Sequence, residues 1–242
     1  MALPFSIVIP TYNEAAGIGK LLEALNETFR ANALDGEIVV VDDNSPDGTG
    51  AVVEELAKRL PVRCLHRGGK LGLSSAVIEG WKVARGESVA LGAMDADFSH
   101  DPSALPNMVA ALDSGEYGLA VGSRYVSGGG ITNWPARRII TSRVACWLAR
   151  PLTRVKDVTS GYFLVRRDAL DGVTLDPIGF KIGLEVIAKA RYGKAIEIPY
   201  VFTDRVAGQS KLNEREIFNY LRQLRRLYAA WLFPPPATQR KA

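Results

Sequence analysis

The chain has 242 residues, 47% hydrophobic and 23% charged, with a formal net charge of +4. That length suits one well-buried domain and is short for two, and so small a charge points to no nucleic-acid partner. Cys64 and Cys146 match no metal or redox spacing and are expected as reduced, buried thiols, while no uncharged apolar run nears the ~20 residues of a membrane span.

The first half alternates strand-like and helix-like segments. Phe5–Pro10 is a short apolar run, and Ile18, Leu21, Leu22 and Leu25 then recur on one helical face. Glu37–Val41 is a β-branched run that predicts a strand, and Val52, Val53, Leu56 and Leu60 predict a second helix. Pro61–His66 reads as a strand, Leu73, Val77, Ile78 and Trp81 as a third helix, and Val89–Met94 as the next strand. This alternation predicts an α/β fold, a mixed, mainly parallel sheet with helices on both faces.

The second half is less regular. Tyr117–Gly122, Gly161–Arg166 and Ala195–Phe202 read as strands, and Ser127–Gly130 as a flexible glycine-rich loop. Helices are predicted over Arg137–Arg150, with Ile140, Val144, Trp147 and Leu148 on one side, and over Ile182–Arg191. The last helix, Glu214–Phe233, is amphipathic. Ile217, Leu221, Leu224, Leu227, Tyr228 and Trp231 cluster on one face, with Arg215, Arg222 and Arg226 opposite. It reads either as a helix packed on the domain or as an interfacial helix resting on anionic lipid. The expected organisation is a domain over 1–212, this helix over 213–233 and a flexible tail over 234–242.

Polar residues follow three of the strands: Tyr12-Asn13-Glu14, Asp42-Asp43-Asn44-Ser45 and Asp95-Ala96-Asp97. In open α/β sheets ligands bind beyond the carboxyl ends of the strands, so three segments converge on one rim. Two carboxylates on alternate residues at a strand end suit a hard cation shared with substrate phosphates, as Mg²⁺ prefers. Asp42 and Asp43, at another strand end, suit hydrogen bonds to a base or ribose. Pro46 and Gly48 shape the turn after them, where Asp47 or Thr49 can cap a helix.

As an ordered set, Val8–Glu14, Val41–Thr49, Lys70–Leu73 and Met94–His100 resemble the family 2 glycosyltransferases of GT-A (Rossmann-like) fold. Gly122–Tyr125, Asn133–Pro135 with Arg138, Asp157–Phe163 and the run 204–212 are similar, within it, to dolichyl- and polyprenyl-phosphate mannose synthases.

The resemblance implies an inverting enzyme that takes mannose from GDP-mannose to a dolichyl or polyprenyl phosphate lipid, with Mg²⁺ or Mn²⁺ as cofactor. It implies that Pro10, Tyr12, Glu14, Asp42 and Asp43 hold the nucleoside and that Asp95, Ala96 and Asp97 meet the diphosphate. Asp95, Asp97 and Ser99 would hold the metal, although some relatives carry Gln where Ser99 stands. Arg124, Arg138 and Ser142 would meet the acceptor phosphate. Arg124, Arg205 and Lys211 would join Asp97 in catalysis and also touch the nucleotide sugar, with Lys181 and Glu185 near the sugar. The implied setting is peripheral, on the cytoplasmic face of a membrane, with or without a separate membrane anchor subunit. Readings left open are UDP-glucose or another nucleotide sugar as donor, a soluble acceptor, and a non-catalytic nucleotide-binding, membrane-associated protein.

Overall fold

A computed structural model describes residues 2–203 and 214–233. Its main sheet has seven strands in the order β3-β2-β1-β4-β7-β5-β8. These are β1 (Phe5–Thr11), β2 (Gly36–Asp42), β3 (Val62–His66), β4 (Ala90–Ala93), β5 (Leu119–Ser123), β7 (Phe163–Arg166) and β8 (Ala195–Pro199). The two remaining strands, β6 (Gly130–Thr132) and β9 (Val201–Thr203), form a separate parallel pair. All neighbours in the main sheet are parallel except β7, which runs antiparallel between β4 and β5.

Strand alternation sends side chains to both faces of the sheet, and each face is covered. Phe5, Ile7 and Ile9 pack against α1 (Ala15–Ala31), α2 (Thr49–Ala57) and α4 (Leu105–Asp113). Val8, Val39 and Val41 face the opposite core. Its helices are α3 (Leu73–Val83), α5 (Ala136–Ala149), α6 (Ile182–Lys189) and α7 (Glu214–Leu232).

Three features differ from the sequence reading. Helix α4 is not among the predicted elements, yet Leu105, Met108, Val109 and Leu112 lie at helical spacing and are buried. The expected strand 195–202 breaks at Tyr200, where the chain leaves the main sheet and Val201 pairs with Gly130. The glycine-rich segment expected as a flexible loop is thereby an ordered strand approach. A Cβ on Gly129 would sit 2.5 Å from the Ser123 carbonyl, a contact only glycine avoids.

The terminal helix packs on the domain through Tyr220, Gln223, Leu224 and Leu227, all buried. Tyr220 Oη donates to the Ala145 carbonyl at 2.6 Å and Tyr228 Oη to the Leu148 carbonyl at 2.6 Å, so α7 lies alongside α5. Of the six apolar residues expected on one α7 face, Ile217, Leu221 and Trp231 turn outward. On α5, Ile140, Val144 and Trp147 share one side as expected, but that side faces outward, Trp147 being 70% exposed.

Candidate active site

The reversal of β7 builds the site. Because β7 runs against β4 and β5, its first residue pairs with Ala93 and Val121, near the carboxyl ends of both neighbours. The preceding segment, 157–162, is thus carried to the rim where Asp95 and Arg124 leave the sheet.

On one flank, Thr11, Asp42 and His66 stand in register at the ends of β1, β2 and β3. The turn after β2 caps the next-door helix. Ser45 Oγ, Thr49 Oγ1 and Asp47 Oδ2 accept from the backbone N–H groups of Asn13, Glu14 and Ala15 at 2.9–3.0 Å. Asp47 Oδ1 also accepts from Thr49 N at 3.0 Å, but the N-cap position of α2 is held by Gly48 and not by Asp47 or Thr49 as expected. Asn13 and Asn44 hold these turns in the left-handed region, at φ 60° and 58°, which asparagine tolerates.

Of the three candidate nucleoside carboxylates, Glu14 is half-buried, while Asp42 and Asp43 are buried and engaged by the protein. Asp42 accepts from Thr11 Oγ1 and from Ser45 through both N and Oγ. Asp43 accepts from Arg67 Nε at 2.6 Å and from Leu71 N and Gly72 N at 3.1 Å. In this structure Asp43 therefore organises the loop 67–72. Its partner Arg67, itself buried and tied to Ser75 and the Gly72 carbonyl, was missed in the sequence reading because nothing local marks it. Pro10 is half-buried beside exposed Tyr12, whose ring lies 4.0 Å from Lys70 Nζ.

At the centre, Asp95 and Asp97 leave β4 half-buried, flanking buried Ala96. Asp97 Oδ1 accepts from both the backbone N–H (3.1 Å) and the hydroxyl of Ser99. Ser99 thus orients the carboxylate through its donors. Phe98 is forced to φ 58°, a left-handed strain of the kind that collects at functional loops. Asp95 and Asp97 offer carboxylate oxygens, the donor type a hard divalent cation takes, although no group of three or more His, Cys, Asp or Glu that could hold a metal ion is found among the described residues. Such a cation would complete its shell with water and substrate phosphate.

His100 anchors this loop from beneath. Its Nδ1 accepts from Asp95 N at 3.0 Å, and its ring stacks on Tyr162 at 5.1 Å. Burial pushes its pKa down, against the nearby Asp95 and Asp97, and the neutral ring suits its acceptor role.

On the other flank, Arg124 Nε and Nη2 clamp the two oxygens of buried Asp157 at 2.7 and 2.6 Å, and Nη2 also donates to Thr159 Oγ1 at 2.7 Å. Sequence reasoning names Arg124 for phosphate but does not find Asp157 as its partner. Burial by itself raises the Asp157 pKa; the bonds and charge of Arg124 outweigh it and hold the group below its ordinary value. Ser142 Oγ, from α5, lies 3.1 Å from Thr159 Oγ1. Arg138, one turn earlier on α5, stacks on Trp134 at 3.8 Å. Lys181 Nζ donates to the Thr159 carbonyl at 3.2 Å; burial, then the Arg124 charge, lowers its pKa to about 8. Glu185 is turned into the protein, bonded to Asp176 N, Lys189 and Gln223. Arg205 and Lys211 lie outside the described residues.

The two flanks meet in one segment. Gly161 lies against Asp95, whose Oδ1 would be 3.7 Å from a Cβ placed there, while Thr159, two residues earlier, touches Arg124 and Ser142. The rim therefore joins the Asp95–Asp97 pair of carboxylates to a group of arginine and hydroxyl donors. That pairing suits transfer between two phosphorylated substrates.

Residues 6–174 match the family described as Glycosyl transferase family 2. The chain is 43% identical over 226 residues to a Pyrococcus furiosus protein named dolichol-phosphate mannosyltransferase, covering 92% of this chain and 63% of that protein's length. It is 39% identical over 222 residues to the polyprenol monophosphomannose synthase of Mycolicibacterium smegmatis, covering 87% of this chain and 82% of the relative. Among solved structures, a mannosyltransferase from Pyrobaculum calidifontis in complex with GDP-Man and Mn²⁺ is similar with a TM-score of 0.66 and 19% identity, over 98% of this chain and 66% of that one. At that identity the likeness is one of fold, and it agrees with the GT-A architecture expected from sequence.

Proposed function

The chain belongs to the family 2 glycosyltransferases, and we propose that its reaction moves mannose from GDP-mannose to a polyprenyl or dolichyl phosphate with inversion at the anomeric carbon. The observation that carries this reading is the 157–161 segment, which abuts Asp95 through Gly161 and holds Arg124 and Ser142 through Thr159. The names of the two relatives support the donor sugar and the lipid acceptor.

The acceptor is a phosphate monoester with a second pKa near 6, so it is already anionic at neutral pH. No general base is required. This agrees with the two histidines: His66 bonds to Glu54 at 2.9 Å, and His100 accepts from the backbone of Asp95. The work left to the protein is positioning and charge neutralisation. Asp95 and Asp97 would hold Mg²⁺ or Mn²⁺, which neutralises the charge that gathers on the departing diphosphate. Tyr12, Pro10, Glu14, Asp42 and Asp43 would frame the nucleoside, Asp42 and Asp43 by shaping their loops. Lys181 would sit beside the sugar. Arg138 and Ser142 would align the acceptor phosphate, with Arg124 steadied between them and Asp157. Arg205 and Lys211 would add positive charge at the diphosphate.

No helix among the described residues is long and apolar enough to cross a membrane. We propose peripheral attachment on the cytoplasmic face, through the apolar residues that α5 and α7 turn outward, with or without a membrane anchor subunit. In this organisation 1–212 is the catalytic domain, 213–233 the interfacial helix and 234–242 a tail.

The decisive experiment offers GDP-mannose, UDP-glucose and other nucleotide sugars to the protein with a polyprenyl phosphate and either Mg²⁺ or Mn²⁺. The expected product is a prenyl mannosyl phosphate formed from GDP-mannose alone. Transfer from another donor, or product formation undiminished by a chelator, overturns the reading.

A further inference from the structure

Gln223 lies on the face of α7 that packs into the domain, with Tyr220, Leu224 and Leu227, and like them it is buried. Its Nε2 donates to the Lys181 carbonyl at 3.2 Å and to Glu185 Oε2 at 3.1 Å. A carbonyl and a carboxylate both accept, so the amide N–H₂ must face them. Glu185 is itself buried, and its other oxygen accepts from Asp176 N and Lys189.

Lys181 is the N-cap residue of α6, and its carbonyl takes a long bond, 3.4 Å, from Glu185 N. Gln223 brings a second donor to that oxygen from another helix. The same helix closes on the loop before it. Gly179 stands at φ 70°, and a Cβ there would lie 3.4 Å from Asn219 and 2.9 Å from Glu216 of α7. At its far end, Lys181 Nζ donates to the Thr159 carbonyl at 3.2 Å, and Thr159 Oγ1 meets Arg124 and Ser142. Lysine has a long flexible stem, so its ammonium is held in place only if the backbone that carries it is held too. Packing does not account for a glutamine here. Burying one costs rotamer freedom, and its Oε1 is buried with no hydrogen-bond partner among the described residues. What the amide adds is a directional link from α7 to the start of α6.

We propose that Gln223 is a positioning residue for the donor sugar: from α7 it fixes the Lys181 backbone, and so sets the Lys181 ammonium at the 157–161 segment. The inference rests on the placement of Lys181 beside the sugar proposed above. It gives the terminal helix a part in the chemistry that its packing and its outward apolar residues do not supply.

The test is steady-state kinetics on the full chain with GDP-mannose, Mn²⁺ and a short-chain polyprenyl phosphate, with GDP binding by calorimetry and thermal midpoints alongside. The variants are Gln223→Met, Lys181→Ala, the two combined, and Leu224→Ala. Gln223→Met should lower kcat/KM for GDP-mannose about tenfold, with the acceptor KM and the GDP Kd within about twofold of wild type. Because Gln223 acts through Lys181, adding Gln223→Met to Lys181→Ala should cost less than about twofold more. Leu224→Ala loosens the same helix face without touching the amide. It should lower the thermal midpoint at least as far as Gln223→Met, yet keep kcat/KM within about threefold of wild type. Wild-type kcat/KM in Gln223→Met, a GDP Kd that weakens as much as kcat/KM falls, losses that multiply in the double variant, or an equal loss in Leu224→Ala overturns the inference. A wild-type protein that transfers no mannose from GDP-mannose refutes the donor assignment without any variant, and this role falls with it.

Discussion

Arg124 and Asp157 form a buried bidentate pair across 33 residues of sequence, Nε to Oδ2 at 2.7 Å and Nη2 to Oδ1 at 2.6 Å. Asp157 Oδ2 also accepts from the Arg124 backbone N–H at 3.0 Å. Asp157 is in turn seated by its own N–H on Glu197 Oε1 at 3.0 Å. Removing one partner leaves a buried charge uncompensated, at a cost of about 3–5 kcal/mol. Asp157→Ala should therefore lower the free energy of unfolding by that amount, measured by urea denaturation followed by far-UV circular dichroism. A loss below about 1 kcal/mol would mean that Arg124 is free to turn toward solvent.

The same pair shapes the acid limb of stability. The Asp157 pKa is lower in the folded chain than in the unfolded one, because Arg124 outweighs burial. Its contribution is therefore complete above the unfolded value of about 3.9 and is lost as pH falls through the lower folded value. Urea midpoints from pH 7 to pH 3 should fall less steeply in Asp157→Asn than in wild type below pH 4. Parallel acid limbs would assign acid sensitivity to other carboxylates.

Asp97→Ala should abolish turnover while leaving the fold intact, since Asp97 is a half-buried rim residue bonded to Ser99. Ser99→Ala keeps the carboxylate but loses the hydroxyl that orients it, so turnover should fall about tenfold or more at low metal, with half-saturation moved to a higher metal concentration. Activity assays titrated with Mn²⁺ read both effects. Near wild-type, chelator-insensitive rates in Asp97→Ala would remove the metal role.

Deleting α7 would strip Tyr220, Leu224 and Leu227 from the core, so membrane binding is better tested at the surface. Phe218 and Trp147 are 67% and 70% exposed. Phe218→Ser with Trp147→Ser should leave the thermal midpoint nearly unchanged. It should also reduce flotation with anionic liposomes about tenfold or more, since burying one large apolar side chain is worth about 1.5–3 kcal/mol. Unchanged flotation would show that these residues do not meet lipid.

Much of the candidate site's rim was legible in the chain itself. β1, β2 and β4 are apolar runs that stop at polar residues, and that local change of character located Tyr12, Asp42 and Asp95 on one edge. Helix α4 was equally legible and was passed over. Asp101 caps the short turn that begins at Pro102, and four apolar residues follow at helical spacing.

What the chain determined by itself was which residues seek burial and where each strand ends, because periodicity and turn chemistry are local. Tertiary packing alone decided what they are buried against. The antiparallel course of β7 brought Thr159 and Gly161 between Arg124 and Asp95, and Asp157 became the partner of Arg124. The apolar side of α5 was left facing outward, because α7 docks along α5 through Tyr220 and Tyr228 without covering it. Strand direction, distant ion pairs and the covering of a helix face depend on contacts between segments far apart in the chain, which no local pattern encodes.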